Sequence, residues 1–443
     1  MSSAVANGTV ASAVDLVRQR VAARLAEHTD ERERAGLPVQ DEASRRKLVG
    51  RLLEEELATQ TRAQLQAGGR GLDEASEQHL AQEVMDTLFG AGGLERLLAD
   101  KRIENISING AENVWLKDAD GTKRRGEPVA ASDSELVELI RTLAARSGEE
   151  ERRFDRGVPR LNLELPDGSR MLAVMSVAHR VSVSIRRHRF PQISLDDLVR
   201  LGVCTKEQAA VFEAMVRARF NIVTSGGTGI GKTTFTRGLC AAIPPEDRLV
   251  TIEDTFELGL HKNRTAHPDV VAMQAREPNI EGEGAIDQAE LVRWALRMSP
   301  DRVIVGEIRG SEVVPMCNAM SQGNDGSLST IHSSSSRGVF TKLASYSAQS
   351  PERLSMEATN LMVASAVHFV IHLGKDSEGK RVVASVREVV DADGTQVISN
   401  EIYRPGPSGQ AVAATPLRTE TLDKLIEAGL DPQAVRSQWW GTA

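Results

Sequence analysis

A glycine-rich turn that contains a lysine and a threonine is the strongest sign of chemistry in this sequence. Residues 220–239 read FNIVTSGGTGIGKTTFTRGL, so Gly226 is followed after four residues by Gly231, Lys232 and Thr233. Glycines let backbone N–H groups turn inward around a phosphate, and the helix that follows presents its positive N-terminal end to the same anion. Lys232 is expected to reach the β- and γ-phosphates, and the Thr233 hydroxyl is expected to hold Mg²⁺.

The whole loop and the first turn of the helix are predicted to contact the nucleotide. These residues are Gly226, Gly227, Thr228, Gly229, Ile230, Gly231, Lys232, Thr233 and Thr234. The alternative is a chance match in a glycine-bearing turn. An apolar strand at 220–224 precedes the loop and a helix follows it, which favours the nucleotide interpretation.

Three further residues with the right chemistry each follow a short apolar strand. Glu253 follows residues 249–252 and is predicted to orient or deprotonate the attacking water. Glu307 follows the strand 302–305 and is predicted to hold or orient Mg²⁺ and its water shell. His332 follows 328–331, where a histidine could sense the γ-phosphate, bridge two subunits or serve a purely structural purpose.

Two groups of arginines have open interpretations. The first group lies near a predicted sheet, and its members could approach the nucleotide phosphates or be ordinary surface charge: Arg170, Arg180, Arg186 and Arg187. The second could neutralise charge on a neighbouring subunit or form fixed surface pairs: Arg276, Arg297 and Arg309. No aromatic residue is interleaved with the first group to stack on bases, so a nucleic-acid site is disfavoured there.

The elements that must position these residues indicate an α/β protein. Around the phosphate loop, short β-branched strands alternate with helices (288–298 and 311–320 among them), which predicts a largely parallel sheet covered on both faces. Such sheets bind ligands at the carboxyl ends of their strands. Residues 103–190 predict a smaller α/β unit, with strands at 103–108, 114–117, 161–165 and 181–185 and a helix at 132–146.

The two ends of the chain are less informative. Residues 1–12 are small and polar, and a helical pattern continues from there to about 89, with breaks at 36–38 and 68–71. We therefore predict a helical extension at 1–87, an α/β domain at 88–190 and the nucleotide-binding domain at 191–443. After a final strand at 381–389, residues 405–416 are predicted to be a linker, followed by a helix at 421–428 that is either a docking tail or surrounded by disorder.

Composition restricts the class of protein. The net charge is -8, which argues against a surface built to coat nucleic acid. The 3 cysteines are widely spaced, so neither a disulfide framework nor a zinc site is predicted. No secretory leader or long apolar segment is present, so we expect a soluble cytoplasmic protein whose role at a membrane comes through partners.

Three further stretches resemble the type II/type IV secretion ATPases. They are TIEDTFEL (251–258), LRMSPDRVIVGEIRG (296–310) and GNDGSLSTIHSSS (323–335), which are similar to the acidic box, the Walker B segment and the histidine box of that family. The stretches LFGAGGLERLLADKRIENISING (88–110), LPDGSR (165–170) and SIRRHRF (184–190) resemble the N-terminal domain of its CpaF branch, which drives assembly of Tad/Flp pili.

The resemblance implies a RecA-like P-loop domain in a ring-shaped, homo-hexameric ATP-hydrolysing motor that pushes on inner-membrane platform proteins. It implies catalytic roles for Lys232, Glu253, Glu307 and His332, and nucleotide contacts for Arg170 and for Arg186 or Arg187. Three departures stand out. Ile230 replaces a small residue, Asn324 replaces a second histidine, and LNLEL (161–165) replaces a more usual Asp-Ala-Arg-Leu run.

Three other functions remain open at this point. The same motor could serve a conjugative or type IV secretion channel, which only the CpaF-like N-terminal segment disfavours. A nucleic-acid translocase shares the phosphate loop and the ring, and DNA-stimulated hydrolysis would identify it. A nucleotide-gated scaffold would bind ATP without turnover, and replacing Glu253 by Gln would then change nothing.

Overall fold

The chain divides into two compact units, Met1–Arg189 and Phe190–Ala443, called here the N-terminal and C-terminal units. The computed structural model describes residues 42–66, 94–146, 153–165, 167–187, 192–276 and 282–433, and the single positions 17, 20, 21, 24, 28, 77, 78, 81, 190, 278 and 439. The polar start at 1–12, the breaks at 36–38 and 68–71 and the domain boundary at 87/88 lie outside the described residues. The three-part division therefore stays a prediction.

Helix α1 (Glu42–Gln66) dominates the described part of the helical extension. Its apolar residues Leu48, Leu52 and Leu53 are buried in one cluster with Val17 and Val21. At 25 residues α1 is the longest described helix, yet no described helix is both long and apolar enough to span a membrane.

The rest of the N-terminal unit is built on an antiparallel sheet. Its elements are helix α2 (Leu94–Ala99), strands β1 (Ile103–Asn109), β2 (Val114–Asp118) and β3 (Lys123–Arg125), helix α3 (Asp133–Arg146), and strands β4 (Arg160–Glu164), β5 (Arg170–Val174) and β6 (Ser182–Arg186). Within the described residues the sheet has six strands in the order β3-β2-β1-β6-β5-β4. The sequence analysis did not predict β3 or β5.

Alternation of buried and exposed residues explains this sheet. Ile106 and Ile108 on β1 and Val183 on β6 point to one face, where Leu136 and Ile140 of α3 cover them. Gly110 takes φ +87 in the turn after β1, a backbone conformation that favours glycine. The Ser132 hydroxyl accepts a hydrogen bond from the Glu135 N–H at 3.2 Å, which caps α3.

The C-terminal unit contains the phosphate loop. Its elements are helices α4 (Leu195–Arg200) and α5 (Lys206–Arg217), strand β7 (Ile222–Gly226), helix α6 (Lys232–Cys240), strands β8 (Leu249–Glu253) and β9 (Val270–Gln274), helix α7 (Gln288–Ala295), strand β10 (Arg302–Ile308), helix α8 (Val313–Ser321), strand β11 (Leu328–His332), helices α9 (Gly338–Gln349) and α10 (Met356–Ala366), strands β12 (Phe369–Lys375), β13 (Arg381–Ala392), β14 (Val397–Pro405) and β15 (Ala411–Ala413), and helix α11 (Thr419–Glu427).

These strands form one mixed sheet that positions the site. In the described part of the unit the order is β15-β14-β13-β12-β7-β11-β10-β8-β9, and the strands from β12 to β9 run parallel. Strand β7, which leads into the phosphate loop, is separated from β10 by β11. This is the strand order of RecA-like P-loop domains, and the predicted α/β fold is confirmed. Strands β7 and β8 are buried at every position, including their polar residues, because helices cover both faces of the sheet.

Four predictions for this unit are wrong in detail. Residues 405–416 are not a linker, because β15 pairs with β14 there, and 381–389 is not the final strand. The described residues up to 433 are ordered elements rather than disorder around one helix. The predicted helix 288–298 is shorter in the structure. Helix α7 ends at Ala295, a 3-10 turn follows at Leu296–Met298, and Ser299 then adopts a left-handed conformation with φ 51.

Candidate functional site

The phosphate loop, residues 226–233, connects β7 to α6. Three of its glycines have positive φ angles: Gly226 at +153, Gly229 at +72 and Gly231 at +102. A side chain at Gly226 would also collide with the Leu373 carbonyl, which lies 2.8 Å from the position of a Cβ atom there. Glycine at these positions lets the loop turn tightly and bring its N–H groups to the start of α6.

Ile230 is buried below the loop. Its Cγ2 atom lies 2.7 Å from where a Cβ on Gly226 would stand, and its side chain belongs to the same apolar cluster as Phe235 and Leu239 of α6. The bulk of this residue therefore fills the core beneath the loop. This explains how the chain accommodates isoleucine at a position where the resemblance implies a small residue.

Lys232 is the first residue of α6, and its side chain is only 7% exposed. Its ammonium donates to the carbonyls of Gly226 and Gly227 at 3.3 and 3.2 Å. It also lies 3.1 Å from Nδ1 of His332. The lysine is thus held among acceptors at the position where phosphate oxygens are expected.

Glu307 links this lysine to the neighbouring strands. Its Oε1 atom lies 2.6 Å from Nε2 of His332, and its Oε2 atom lies 2.6 Å from Nε of Arg309. A neutral imidazole protonated on Nε2 satisfies both contacts of His332, by donating to Glu307 and accepting from Lys232. Glu307 lies within β10 rather than beyond its end, because the strand continues to Ile308.

Arg309 extends the same chain of contacts to Asp254. Its Nη1 atom donates to Asp254 Oδ2 at 2.9 Å. Burial lowers the pKa of the Arg309 guanidinium, but the Glu307 and Asp254 carboxylates outweigh this and the pKa lies above its usual value. Arg309, which the sequence suggested for a role on a neighbouring subunit, is therefore paired within its own chain.

Glu253 ends the adjacent strand β8 and lies beside Gly306 of β10. Strands β8 and β10 pair in parallel, and the Cγ atom of Glu253 lies 2.9 Å from where a Cβ on Gly306 would stand. The Glu253 side chain is 3% exposed, and its Oε1 accepts the N–H groups of Glu257 and Leu258 at 2.8 Å each. These bonds fix the carboxylate and the segment that follows β8.

The donor set suits a magnesium ion. Magnesium binds one or two carboxylates together with phosphate oxygens and retains several waters. Thr233 lies half-buried in the first turn of α6, and Glu307 supplies the carboxylate. Thr234 is also half-buried there, while Gly227 and Thr228 are exposed on the loop. The assigned roles of all these residues remain predictions.

The predicted arginines of the N-terminal unit are in different environments. Arg170 on β5 and Arg186 on β6 are direct cross-strand partners. Arg170 also faces Glu164 of β4, an opposite charge on its other side. Arg187 instead donates to the Asp100 carbonyl, and its Nε atom lies 3.7 Å from Asp167. The geometry favours Arg186 over Arg187 as the residue available to an anion.

Two site residues were missed by the sequence analysis. His372 on β12 lies 2.9 Å from the Ser225 hydroxyl, immediately before the phosphate loop. Burial and the nearby Lys232 charge lower the pKa of His372, so its imidazole is neutral near pH 7. A side-chain carbon of Arg381 on β13 lies 3.7 Å from where a Cβ on Gly231 would stand. Nothing in the spacing of the sequence connects either residue with the loop.

Asn324 lies at the other end of the sheet. Its Nδ2 atom donates to the Pro300 carbonyl at 2.6 Å, and its own carbonyl accepts the Ser327 hydroxyl at 2.7 Å. The residues in both contacts lie in the loops just before β10 and β11. Within this unit, Asn324 therefore stabilises loops at the amino ends of the strands and does not join the cluster around Lys232.

The chain is similar to several known proteins. A family model described as "Type II/IV secretion system protein" matches residues 87–410. The putative conjugal transfer protein Rv3659c of Mycobacterium tuberculosis is 32% identical over 315 residues, which cover 69% of this chain and 86% of that protein. Protein VirB11 of Agrobacterium fabrum is 30% identical over 305 residues, with 62% and 85% covered.

Solved structures of two ATPases are also similar to this chain. The VirB11 ATPase of the Brucella suis type IV secretion system has 26% identity and a TM-score of 0.36, and the match covers 67% of this chain and 93% of that one. The Legionella pneumophila ATPase DotB has 17% identity and a TM-score of 0.49, with 70% and 82% covered. On its phosphate loop and on the family match over most of its length, this chain is a P-loop ATPase that belongs to the type II/IV secretion system protein family.

Proposed function

We propose that this chain is the ATP-hydrolysing motor of a membrane-bound machine that assembles a Tad/Flp-type pilus. The observation that carries the catalytic part is the contact chain from Lys232 through His332 to Glu307, with links of 3.1 and 2.6 Å. It joins the phosphate loop to the carboxylate of β10 through the end of β11. A bound triphosphate would touch all three strands.

The phosphates are proposed to bind at the N-terminal end of α6, where Lys232 exchanges its carbonyl and imidazole partners for phosphate oxygens. Magnesium, held between Thr233 and Glu307, would neutralise charge on the β- and γ-phosphates. Glu253 would orient the attacking water and accept its proton. When Lys232 leaves His332 for the phosphates, the hydrogen bond between His332 and Glu307 would change as well, because His332 contacts both residues.

The N-terminal unit is proposed to supply Arg170 and Arg186 to the nucleotide. The two residues are direct cross-strand partners on β5 and β6, and an arginine side chain can donate two parallel hydrogen bonds to one phosphate group. We further propose a homo-hexameric ring that acts on inner-membrane platform proteins. The family resemblance supports both statements.

One measurement tests the hydrolase directly. Phosphate release by the purified protein should depend on Mg²⁺ and ATP, and Lys232→Ala should reduce it by at least about 10²-fold. The mass in solution with ATP should be that of six subunits. Equal release by wild type and variant would refute the motor, and a monomer under every condition would refute the ring. Stimulation of hydrolysis by DNA would favour a translocase.

A conjugative or type IV secretion motor is the second candidate, favoured by the conjugal transfer name of the Mycobacterium tuberculosis relative. The CpaF-like stretches at 88–110, 165–170 and 184–190 favour the pilus. Replacing the chromosomal gene by the Lys232→Ala variant separates the two. Loss of surface pili with normal plasmid transfer supports pilus assembly, whereas the opposite result supports conjugation.

A further inference from the structure

The hairpin of β12 and β13 extends beyond the end of the strand that leads into the phosphate loop. In the parallel pairing of β7 with β12, Gly226 lies opposite Leu373, and β7 then turns into the loop. Strand β12 continues to Lys375, whose antiparallel partner on β13 is Arg381. At about 3.3 Å per residue, the hairpin reaches roughly 7 Å past the start of the loop. One wall of the loop is therefore formed by a segment more than a hundred positions away in the chain.

Arg381 lies on this wall against the N-terminal end of α6. Its Cδ atom lies 3.7 Å from the position of a Cβ on Gly231, which is the residue that caps α6. The side chain of Arg381 is half-buried, and the Cδ atom that approaches Gly231 is bonded directly to Nε of the guanidinium. A planar guanidinium can donate two parallel hydrogen bonds to one phosphate group.

Lys232 occupies the opposite side of the same helix end. Its ammonium is held by the carbonyls of Gly226 and Gly227 and by His332 on β11. Strands β11 and β12 flank β7 on its two sides. The two cations therefore approach the loop from different directions, and a polyphosphate bound to the loop would lie between them.

We propose that Arg381 binds the polyphosphate chain of the nucleotide from within the same subunit. This inference rests on the proposed function, because it requires that residues 226–233 bind ATP. It differs from the roles assigned to Arg170 and Arg186, which belong to the N-terminal unit. It identifies the β12–β13 hairpin as part of the nucleotide site.

The test compares nucleotide affinities of purified full-length variants. Arg381→Ala should weaken binding of fluorescent ATP and ADP analogues about 10-fold or more, as expected for loss of a charge-assisted hydrogen bond. Arg381→Lys should recover part of the affinity. Binding of adenosine, which has no phosphate, should be unchanged. In steady-state hydrolysis, KM should rise by a larger factor than kcat falls.

Lys380→Ala is the matched control. Lys380 lies one position before Arg381, and its ammonium pairs with Glu378 at 2.7 Å in the exposed turn. This variant should bind ATP as the wild type does. The stabilisation by added ADP, measured as the rise in the thermal unfolding midpoint over that of the same protein without nucleotide, should be smaller for Arg381→Ala than for the wild type.

The outcomes separate this inference from the proposed function. If the wild type binds no ATP, both are refuted. If the wild type binds ATP and Lys232→Ala does not, but Arg381→Ala binds with wild-type affinity, only the role of Arg381 is refuted. An equal loss of adenosine affinity in Arg381→Ala would place the residue at the nucleoside instead and would also refute the proposal.

Discussion

The two edges of the parallel sheet carry the same kinds of residues and use them differently. The carboxyl edge, defined by Lys232, Glu253, Glu307 and His332, contains the candidate site. The amino edge, defined by Asn221, Asp247 and Arg302, lies at the opposite ends of the same strands. Both edges contain acidic and basic side chains that join several strands. Their partners are different, and this difference separates a binding site from a structural network.

At the amino edge, polar side chains bond mainly to the backbone. Arg302 is 1% exposed; its Nε atom donates to Asp247 at 2.7 Å and its Nη1 atom to the Val216 carbonyl at 2.8 Å. Asn221 is fully buried and accepts the N–H groups of Gly326 and Ser327 at 2.9 and 3.0 Å. Each buried polar group is thus matched to a fixed partner, which stabilises the fold.

At the carboxyl edge, Lys232, His332 and Glu307 contact side chains from other elements, whereas Glu253 accepts backbone N–H groups. Lys232 meets His332, which meets Glu307, which meets Arg309. Such contacts can be exchanged for a ligand without breaking the backbone of any strand. The partners of a polar residue, more than its type, therefore distinguish a residue of the candidate site from one that stabilises the fold. Changes at the carboxyl edge should alter activity, and changes at the amino edge should alter stability.

Glu307→Gln should have the largest effect. The substitution keeps the shape of the side chain but removes the charge that pairs with Arg309 and would hold magnesium. We expect phosphate release to fall by about 10³-fold, while the midpoint of thermal unfolding stays close to that of the wild type. Asp423→Asn, at an exposed position on α11, should change neither quantity. A large loss of stability in Glu307→Gln would show that the carboxyl edge is also structural.

Asp247→Asn should have the next largest effect, on stability alone. It would leave the buried Arg302 guanidinium without its carboxylate, so we expect the free energy of unfolding to fall by about 3 kcal/mol or more. Urea denaturation would measure this. Asp269→Asn removes a carboxylate from an exposed pair with Arg248 and should change the free energy by less than about 1 kcal/mol. Equal effects of the two substitutions would contradict the structural role of the amino edge.

Ile230→Ser refines the comparison, because Ile230 belongs to the carboxyl edge by position and to the core by contact. We expect a loss of about 2 kcal/mol in the free energy of unfolding, since a buried side chain is truncated. The affinity for ATP should remain near that of the wild type, because loop N–H groups bind the phosphates. Ile230→Val should lose about 1 kcal/mol or less. A gain in ATP affinity for Ile230→Ser would show that isoleucine obstructs the loop.

The smallest effect concerns pH and the amino edge. The Nδ1 atom of His368 accepts the Asn221 N–H at 2.8 Å, so only the neutral imidazole fits. Burial, with Lys424 and Arg418 and against Asp325, lowers the pKa of His368 below its usual 6.5. His368 therefore binds a proton at a higher pH in the unfolded chain than in the folded chain, and the free energy of unfolding should fall as the pH drops below about 6.5. Denaturation between pH 7 and 5 should show a flatter slope for His368→Asn, which keeps an acceptor. An unchanged slope would show that His368 does not contribute.

Much of the C-terminal unit was predictable because parallel sheets place strand ends together. Glu253 and His332 end their strands and Glu307 lies one residue before the end of β10, so their placement at one edge of the sheet followed from fold class alone. The antiparallel strands β14 and β15 were not predicted, because Gly406, Gly409 and the prolines around them indicate turns. The strands between those turns pair only through the tertiary structure.

Other parts of the site could not be predicted because they depend on register. Arg381 reaches Gly231 only because β12 extends past β7, and no local pattern sets that length. The cross-strand pairing of Arg170 with Arg186 likewise needed β5, which was not predicted from the sequence. The preference for Arg186 over Arg187 depends on the contact of Arg187 with Asp100, 87 positions away.

The three native thiols have a practical consequence for studying motion in this motor. Cys204, Cys240 and Cys317 are all buried, and burial raises the pKa of each to about 12. Thiolate, the reactive form, is therefore scarce near neutral pH. Fluorophores attached through maleimide chemistry should then label a cysteine introduced on the surface of either unit in the otherwise natural chain. Energy transfer between two such labels would follow the units through each cycle of hydrolysis.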